Sequence, residues 1–139
     1  MLRREARAKI LKALYGSEFI EVNPDPVENL LTDCDPGEQR EFIDDIYRGT
    51  LDKKEEIDEL ISSFAVGWKV ERLAFLDRNI LRMAIYELLY YDETPPEVVM
   101  NEAIELSKEY GTDNAPKFVN GILDRVWKEE KGKGEELKG

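Results

Sequence analysis

The residues best suited to chemistry in this chain are a group of cations in its first fifteen positions. They are Arg3, Arg4, Arg7, Lys9 and Lys12, with Glu5 as the single acid among them and Tyr15 beside them. Arginine forks bind phosphate through two hydrogen bonds, and a tyrosine ring offers a face on which a base can stack. On a helical wheel the three arginines share one arc, and Lys12 and Tyr15 lie next to it. The pattern predicts a local site for a polyanion such as RNA.

The rest of the chain has the opposite charge. The protein carries a net charge of −11, and residues 21–62 hold fourteen acids against four bases. An acidic surface repels RNA, so any contact with nucleic acid should be confined to the basic end. An ordinary solvated helical surface also explains the acidic segment, and a solubilising helix end also explains the basic one. Arginines at a helix N-terminus oppose the helix dipole, which favours a role for them.

Several classes of catalytic site are excluded by composition. The chain has no histidine and one cysteine, Cys34, which rules out an internal disulfide, a histidine-based triad and the common zinc sites. It has no glycine-rich phosphate loop, and its carboxylate pairs are adjacent rather than spaced to converge. We therefore expect no enzyme, no cofactor and no metal. The absence of a signal peptide or an apolar span predicts a cytoplasmic protein without a membrane segment.

Helical periodicity runs through nearly the whole chain and predicts an all-α domain of about seven helices over residues 1–130, with 131–139 as a flexible polar tail. The predicted helices cover residues 3–15, 27–32, 36–61 with a break near Thr50, 66–76, 78–89, 95–110 and 114–127. The helix after Asp77, which can cap it, has a broad apolar face and should be the most buried. Thr94 and the two prolines after it predict the next helix start, and Gly111 predicts that helix's end.

Three features of the last two helices need a special explanation. A glycine inside a helix costs about 1 kcal/mol relative to alanine, so Gly121 should mark the close approach of another helix. An inter-helix hydrogen bond or a cap is the expected role of Asn101-Glu102. The pattern leaves two roles open for Phe118, which is either part of the core or a platform for a base.

Several segments together resemble the NusB transcription antitermination proteins. They are the opening Arg3-Arg4-Glu5-Ala6-Arg7 with Ala13-Leu14-Tyr15, the string from Leu76 to Leu88, the NEAIEL string from Asn101 to Leu106, and the KFVNGILD string from Lys117 to Asp124. The resemblance spans about residues 3–127 and keeps the order of the motifs. It implies two packed three-helix subdomains.

The resemblance also implies a function. The protein would bind the single-stranded boxA element of nascent ribosomal RNA together with a small-subunit ribosomal protein, the E-type Nus factor, and help RNA polymerase pass terminators. The residues that match the family's RNA surface are Arg3, Arg4, Arg7, Tyr15, Lys117 and Phe118, and those at the expected partner contact are Asp77, Arg78 and Arg82. Lys12 joins the predicted RNA-binding set through its place on the helical wheel. We expect replacement of Arg3 and Arg7 to weaken RNA binding without loss of stability.

Two other functions fit parts of the pattern. A NusB-like domain also occurs in ribosomal-RNA cytosine methyltransferases, but the catalytic domain that this activity needs is missing from these 139 residues. A helical protein-interaction module would leave the basic end incidental and predict no RNA binding. Glu5 interrupts what is a longer arginine run in some family members, so the partner should matter more for RNA binding here.

Overall fold

Helices dominate the computed structural model, which describes residues 1–19, 31, 35–65, 67 and 69–138, with side chains up to residue 130. Within these residues there are six α-helices, and 3-10 turns at Gly37–Gln39 and Val70–Arg72. The helices are α1 (Arg3–Ser17), α2 (Arg40–Asp52), α3 (Lys54–Phe64), α4 (Phe75–Leu89), α5 (Pro96–Tyr110) and α6 (Ala115–Lys138). The predicted all-α class is confirmed, with six described α-helices instead of about seven.

Helix α4 is the centre of the fold, as its broad apolar face predicts. Ten of its fifteen residues are buried, and it packs against α1, α2, α3, α5 and α6. Helices α4, α5 and α6 pack against one another, while α2 packs against both α1 and α3. The six described helices thus form two three-helix units with α4 at their junction. Because α4 meets each of the other five described helices, side chains along it can bridge the two units.

The predicted ends of several helices are shifted. The break expected near Thr50 lies at Lys53, and α5 begins at Pro96 with Pro95 as the preceding cap residue. The predicted helix over 66–76 is wrong for the described part of that range, where the 3-10 turn precedes α4. Asp77 does not cap α4, because the helix already begins at Phe75. The predicted helix at 27–32 lies outside the described residues except for Leu31, which is buried. Three more residues also lie outside them: Cys34, Val66 and Trp68.

Two mid-helix glycines have different surroundings. A side chain at Gly49 would overlap the ring of Tyr86, so this glycine lets α4 pack closely on α2. A side chain at Gly121 would meet nothing within 4 Å, and the residue is exposed. The expectation that Gly121 marks a close helix contact is therefore wrong. Packing among the described residues does not explain why position 121 is a glycine.

The last helix is longer than the sequence pattern indicates. The apolar pattern ends at Trp127, whereas the backbone of α6 is helical to Lys138. Flexibility of residues 131–139 stays a prediction. In the part of the chain that the structure describes, no helix is both long and apolar enough to cross a bilayer.

Candidate nucleic-acid interface

Arg7 is not on the surface, although the sequence pattern places it in an exposed basic patch. Its side chain is only 5% exposed. Its guanidinium donates two hydrogen bonds to the carboxylate of Glu87 on α4, from Nε at 3.0 Å and from Nη2 at 2.6 Å. A buried cation needs such a partner, since desolvation of an unpaired charge is costly. Arg7 therefore ties α1 to the central helix and presents no surface to a phosphate.

Arg4 is exposed but paired. Its Nε and Nη2 donate to the two carboxylate oxygens of Glu102 on α5, at 3.1 and 2.9 Å. The hydrogen bond and charge of Glu102 are the main reasons that the pKa of Arg4 is raised. The inter-helix hydrogen bond expected for the Asn101-Glu102 pair is thus confirmed at Glu102. The carboxylate of Glu5, which interrupts the arginines, accepts the N–H of Leu2 at 3.1 Å and so caps α1.

Arg3 lies between these two extremes of exposure. Its Nε donates to Oε1 of Gln39 at 2.6 Å, and its guanidinium carbon lies 4.0 Å from the centre of the Phe42 ring. This geometry is a cation–π contact. The three arginines of α1 therefore have three different environments, and Arg4 is the most exposed of them.

Tyr15 belongs to an exposed group of three aromatic rings. Its ring centre lies 5.1 Å from that of Phe19 and 6.3 Å from that of Phe75, with edge-to-face geometry. Tyr15 and Phe75 are each 39% exposed, and Phe19 is 59% exposed. Exposed aromatic groups of this kind are common where a protein contacts a partner or a base. The sequence pattern identified only Tyr15.

Tyr15 and Phe118 lie on two adjoining grooves. The Tyr15 groove has a volume of about 300 Å³ and also includes Tyr110. The Phe118 groove has a volume of about 310 Å³. Both grooves share Ala74, Asp77 and Thr112, and we call the hydrogen-bonded pair Asp77–Thr112 the ridge between them. Phe118 also packs against the core, so the two roles considered for it are compatible.

Asp77 builds this ridge from within. It is buried, and its oxygens accept the backbone N–H of Thr112 at 3.0 Å and the Thr112 hydroxyl at 2.7 Å. A side chain at Gly111 would come within 2.8 Å of the same carboxylate, so the turn between α5 and α6 needs a glycine there. Asp77 therefore fixes the turn that leads to Lys117 and Phe118.

Exposed cations lie near residues that line the grooves. Lys12 lies with its Nζ 5.8 Å from the centre of the Tyr110 ring, and Lys117 is exposed on the first turn of α6. Arg72 is also exposed and lines the Phe118 groove, although no sequence signal singled it out. A third groove, of about 230 Å³, joins Arg4 to Tyr110. We call this continuous surface, from Arg4 through Tyr110, Tyr15 and the ridge to Phe118, the aromatic track.

The residues predicted to contact a protein partner are held inside the fold. Arg78 donates to Oε1 of Glu18 and lies over the Phe75 ring, 4.2 Å from its centre. Arg82 is buried, and it donates two hydrogen bonds to Asp58, at 2.7 and 2.9 Å, and one to Glu18, at 3.1 Å. The donors of Arg82 are thus satisfied internally, and its contact with a partner stays a prediction.

Glu18 is the residue that the sequence pattern missed in this network. Its side chain is nearly buried at the end of α1, where it also accepts the amide of Asn79 at 2.9 Å. Burial lowers the pKa of Arg82, but the hydrogen bonds and charges of Asp58 and Glu18 outweigh it, and the net shift is upward. The network joins α1 and α3 to α4, beneath the exposed rings of Phe19 and Phe75. Nothing local marks Glu18, because its partners lie about sixty residues away.

Comparison with known proteins extends the likeness over most of the chain. A sequence profile of the NusB family matches residues 4–128. The transcription antitermination protein NusB of Bacillus pumilus is 43% identical over 126 residues, covering 91% of this chain and 95% of that protein. The structure of T. maritima NusB has a TM-score of 0.83 at 42% identity, covering 93% of this chain and 92% of that chain. A structure of the antitermination factors NusB and NusE in complex with double-stranded RNA has a TM-score of 0.77 at 26% identity, covering 92% of this chain and 98% of that chain.

Proposed function

The chain belongs to the NusB family, and on that premise we propose that it is an RNA-binding transcription antitermination factor. It binds the boxA element of nascent ribosomal RNA as a single strand along the aromatic track. A small-subunit ribosomal protein of the NusE type binds beside the RNA and supplies further contacts to it. The complex helps RNA polymerase read through terminators in the cytoplasm, and the proposal includes no catalytic step by this chain.

The observation that carries the proposal is the placement of Tyr15 and Phe118 on neighbouring grooves. Aromatic side chains bind unstacked bases, which a single strand offers and a duplex does not. Two rings on either side of the Asp77–Thr112 ridge suit successive bases that are splayed apart. The exposed cations Lys12 and Lys117 can then contact the phosphates that link those bases.

We propose a changed set of RNA-binding residues, supported by the exposure of the side chains. We propose direct contacts from the exposed cations and from three of the rings that line the grooves; they are Lys12, Tyr15, Arg72, Tyr110, Lys117 and Phe118. Arg3 lies at the margin of this surface. Arg7 acts indirectly, because its ion pair with Glu87 fixes the orientation of α1. The role of Arg4 depends on its pairing with Glu102.

We propose that the partner contacts the exposed rings of Phe19 and Phe75. Interfaces are enriched in aromatic residues, and these two rings are exposed beside Tyr15. Asp77, Arg78 and Arg82 then support the partner surface from beneath, with Arg78 stacked on Phe75. The partner would thus sit next to the RNA, and each ligand would favour binding of the other.

The test is a fluorescence titration of a labelled single strand that contains boxA, with and without the ribosomal partner, at several salt concentrations. We expect weak binding by the chain alone and tighter binding with the partner. Three phosphate contacts from Lys12, Arg72 and Lys117 predict a log–log salt slope of about −2, since each contact on a single strand contributes about 0.7. A duplex of the same sequence should bind less tightly.

Tyr15→Ala and Phe75→Ala form a matched pair, because the two rings are equally exposed. We expect Tyr15→Ala to weaken RNA binding by the chain alone, and Phe75→Ala to weaken mainly the binding of the partner. If no strand binds even with the partner present, the chain is an interaction module and the proposal fails. Equal binding of duplex and single strand would refute the stacking mode.

A further inference from the structure

Arg4, the exposed arginine at one end of the aromatic track, already holds a carboxylate. Two donors of the Arg4 guanidinium point to the two oxygens of Glu102, in the arrangement by which an arginine binds phosphate. The Arg4 side chain is 65% exposed, whereas that of Glu102 is only 17% exposed. The carboxylate thus approaches from the protein side and occupies the fork that a phosphate would need.

The surroundings of Arg4 are acidic as well. Glu5, Glu105 and Glu109 line the same groove, and the charges of Glu105 and Glu109 help to raise the pKa of Arg4. The hydrogen bond from Arg4 is the main cause that lowers the pKa of Glu102, so its carboxylate is ionised at neutral pH. An RNA phosphate that approaches Arg4 must displace one carboxylate and face others at short range.

We propose that Glu102 competes with RNA phosphate for the guanidinium of Arg4 and so limits the affinity of this chain for RNA. The inference rests on the proposed RNA-binding function. Glu102 would then determine how many cations of the N-terminal helix are available to RNA phosphates. While its guanidinium is paired with Glu102, Arg4 contributes little to RNA binding. It contacts a phosphate only after the hydrogen bonds to Glu102 have broken.

The alternative role for Glu102 is to position Arg4 for RNA, and the two roles predict opposite results. Glu102→Gln keeps the size of the side chain and one hydrogen-bond acceptor but removes the charge. Competition predicts a several-fold gain in affinity for single-stranded RNA. It also predicts a log–log salt slope that is steeper by about 0.7, the contribution of one additional phosphate contact. A loss of affinity in Glu102→Gln overturns the proposal in favour of positioning.

Glu105→Gln is the matched control, because Glu105 lines the same groove and pairs with Lys108 rather than with Arg4. It reports the effect of removing one negative charge from this surface. Its gain should be smaller, and its salt slope should equal that of the unmodified chain. Equal gains and equal slopes in the two variants would overturn the proposal. In an Arg4→Ala background, Glu102→Gln should lose its advantage over Glu105→Gln, because the contested guanidinium is gone.

A readout without RNA separates this inference from the proposed function. The Nε–H resonance of Arg4 can be followed by NMR during titration with pyrophosphate. Competition predicts that the resonance shifts at a lower pyrophosphate concentration in Glu102→Gln than in the unmodified chain or in Glu105→Gln. Identical titrations in all three proteins would sink the inference, whether or not the chain binds RNA. Failure of every protein to bind RNA, with the expected pyrophosphate result, would refute the proposed function alone.

Discussion

Replacing Arg7 with alanine should destabilise the fold strongly, although sequence reasoning placed this residue in an exposed patch. The guanidinium donates at 3.0 and 2.6 Å to Glu87, and both side chains are buried. Removing Arg7 leaves a buried carboxylate without the two hydrogen bonds that hold it. Breaking one side of a buried ion pair costs about 3–5 kcal/mol.

This cost corresponds to a large fall in melting temperature. For a domain of this size, about 3–4 °C is lost per kcal/mol, so we expect a decrease of roughly 10–20 °C. Urea unfolding followed by circular dichroism gives the free energy directly. Arg4→Ala is the control from the same helix, and its exposed pair should contribute little to stability. RNA binding by Arg7→Ala has to be measured well below its own melting temperature, so that unfolding is not mistaken for a lost contact.

A double variant separates the charge from the packing. Replacing both Arg7 and Glu87 with apolar residues of similar size removes the buried charges together, and such replacements are often close to neutral. Arg7→Met with Glu87→Leu should therefore recover much of the stability lost in Arg7→Ala. A surface ion pair contributes at most about 1 kcal/mol to stability. If the free energy of unfolding of Arg7→Ala lies within that range of the value for the unmodified chain, the ion pair does not hold the fold together and the reasoning is wrong.

The remaining predictions concern two glycines, a tyrosine and the ridge. Gly121→Ala should raise the free energy of unfolding by about 1 kcal/mol in a denaturant titration, because the new methyl group meets nothing; destabilisation would point to a strained backbone. Gly49→Ala should have the opposite sign, since the methyl group displaces the Tyr86 ring, and an equal gain in the two variants would contradict this. Burial is the first cause that raises the pKa of Tyr86 to about 12, so absorbance titration should show a phase near pH 12 that Tyr86→Phe removes. Protonated Tyr86 makes its whole contribution to the free energy of unfolding below about pH 10, and that contribution is lost as the pH rises towards 12. Asp77→Ala should free the Thr112 turn and weaken RNA binding more than Asp77→Asn, and equal losses would mean that the hydrogen bonds do not matter.

Local patterns predicted the helices well because helix formation depends on nearby residues. The apolar spacing of α4 identified it as the most buried helix, and prolines and Gly111 marked the two ends of α5 to within a residue. The break between α2 and α3 was placed three residues early because nothing in the sequence near Lys53 forces a turn. The pattern over 66–76 has the apolar content of a helix, yet the described residues before Phe75 form only a 3-10 turn.

The state of each charged residue could not be predicted in the same way. Arg4 and Arg7 lie about one helical turn apart, and their partners are Glu102 and Glu87 on two other helices. Those partners lie 98 and 80 residues away, so no local window contains them. Gly121 shows the same limit, since a glycine has no side chain whose chemistry could indicate which face of the helix it occupies.

The internal pairing of cations changes how an acidic chain can recognise RNA. Long-range attraction is weak in a protein with a net charge of −11, and Arg7 and Arg82 use their charge to hold helices together. The charge left for RNA is small, so base stacking on Tyr15 and Phe118 has to supply much of the binding energy. Stacking depends little on salt and requires unpaired bases. A track of this kind should therefore bind RNA weakly by itself, prefer single strands, and depend on a partner to supply the missing contacts.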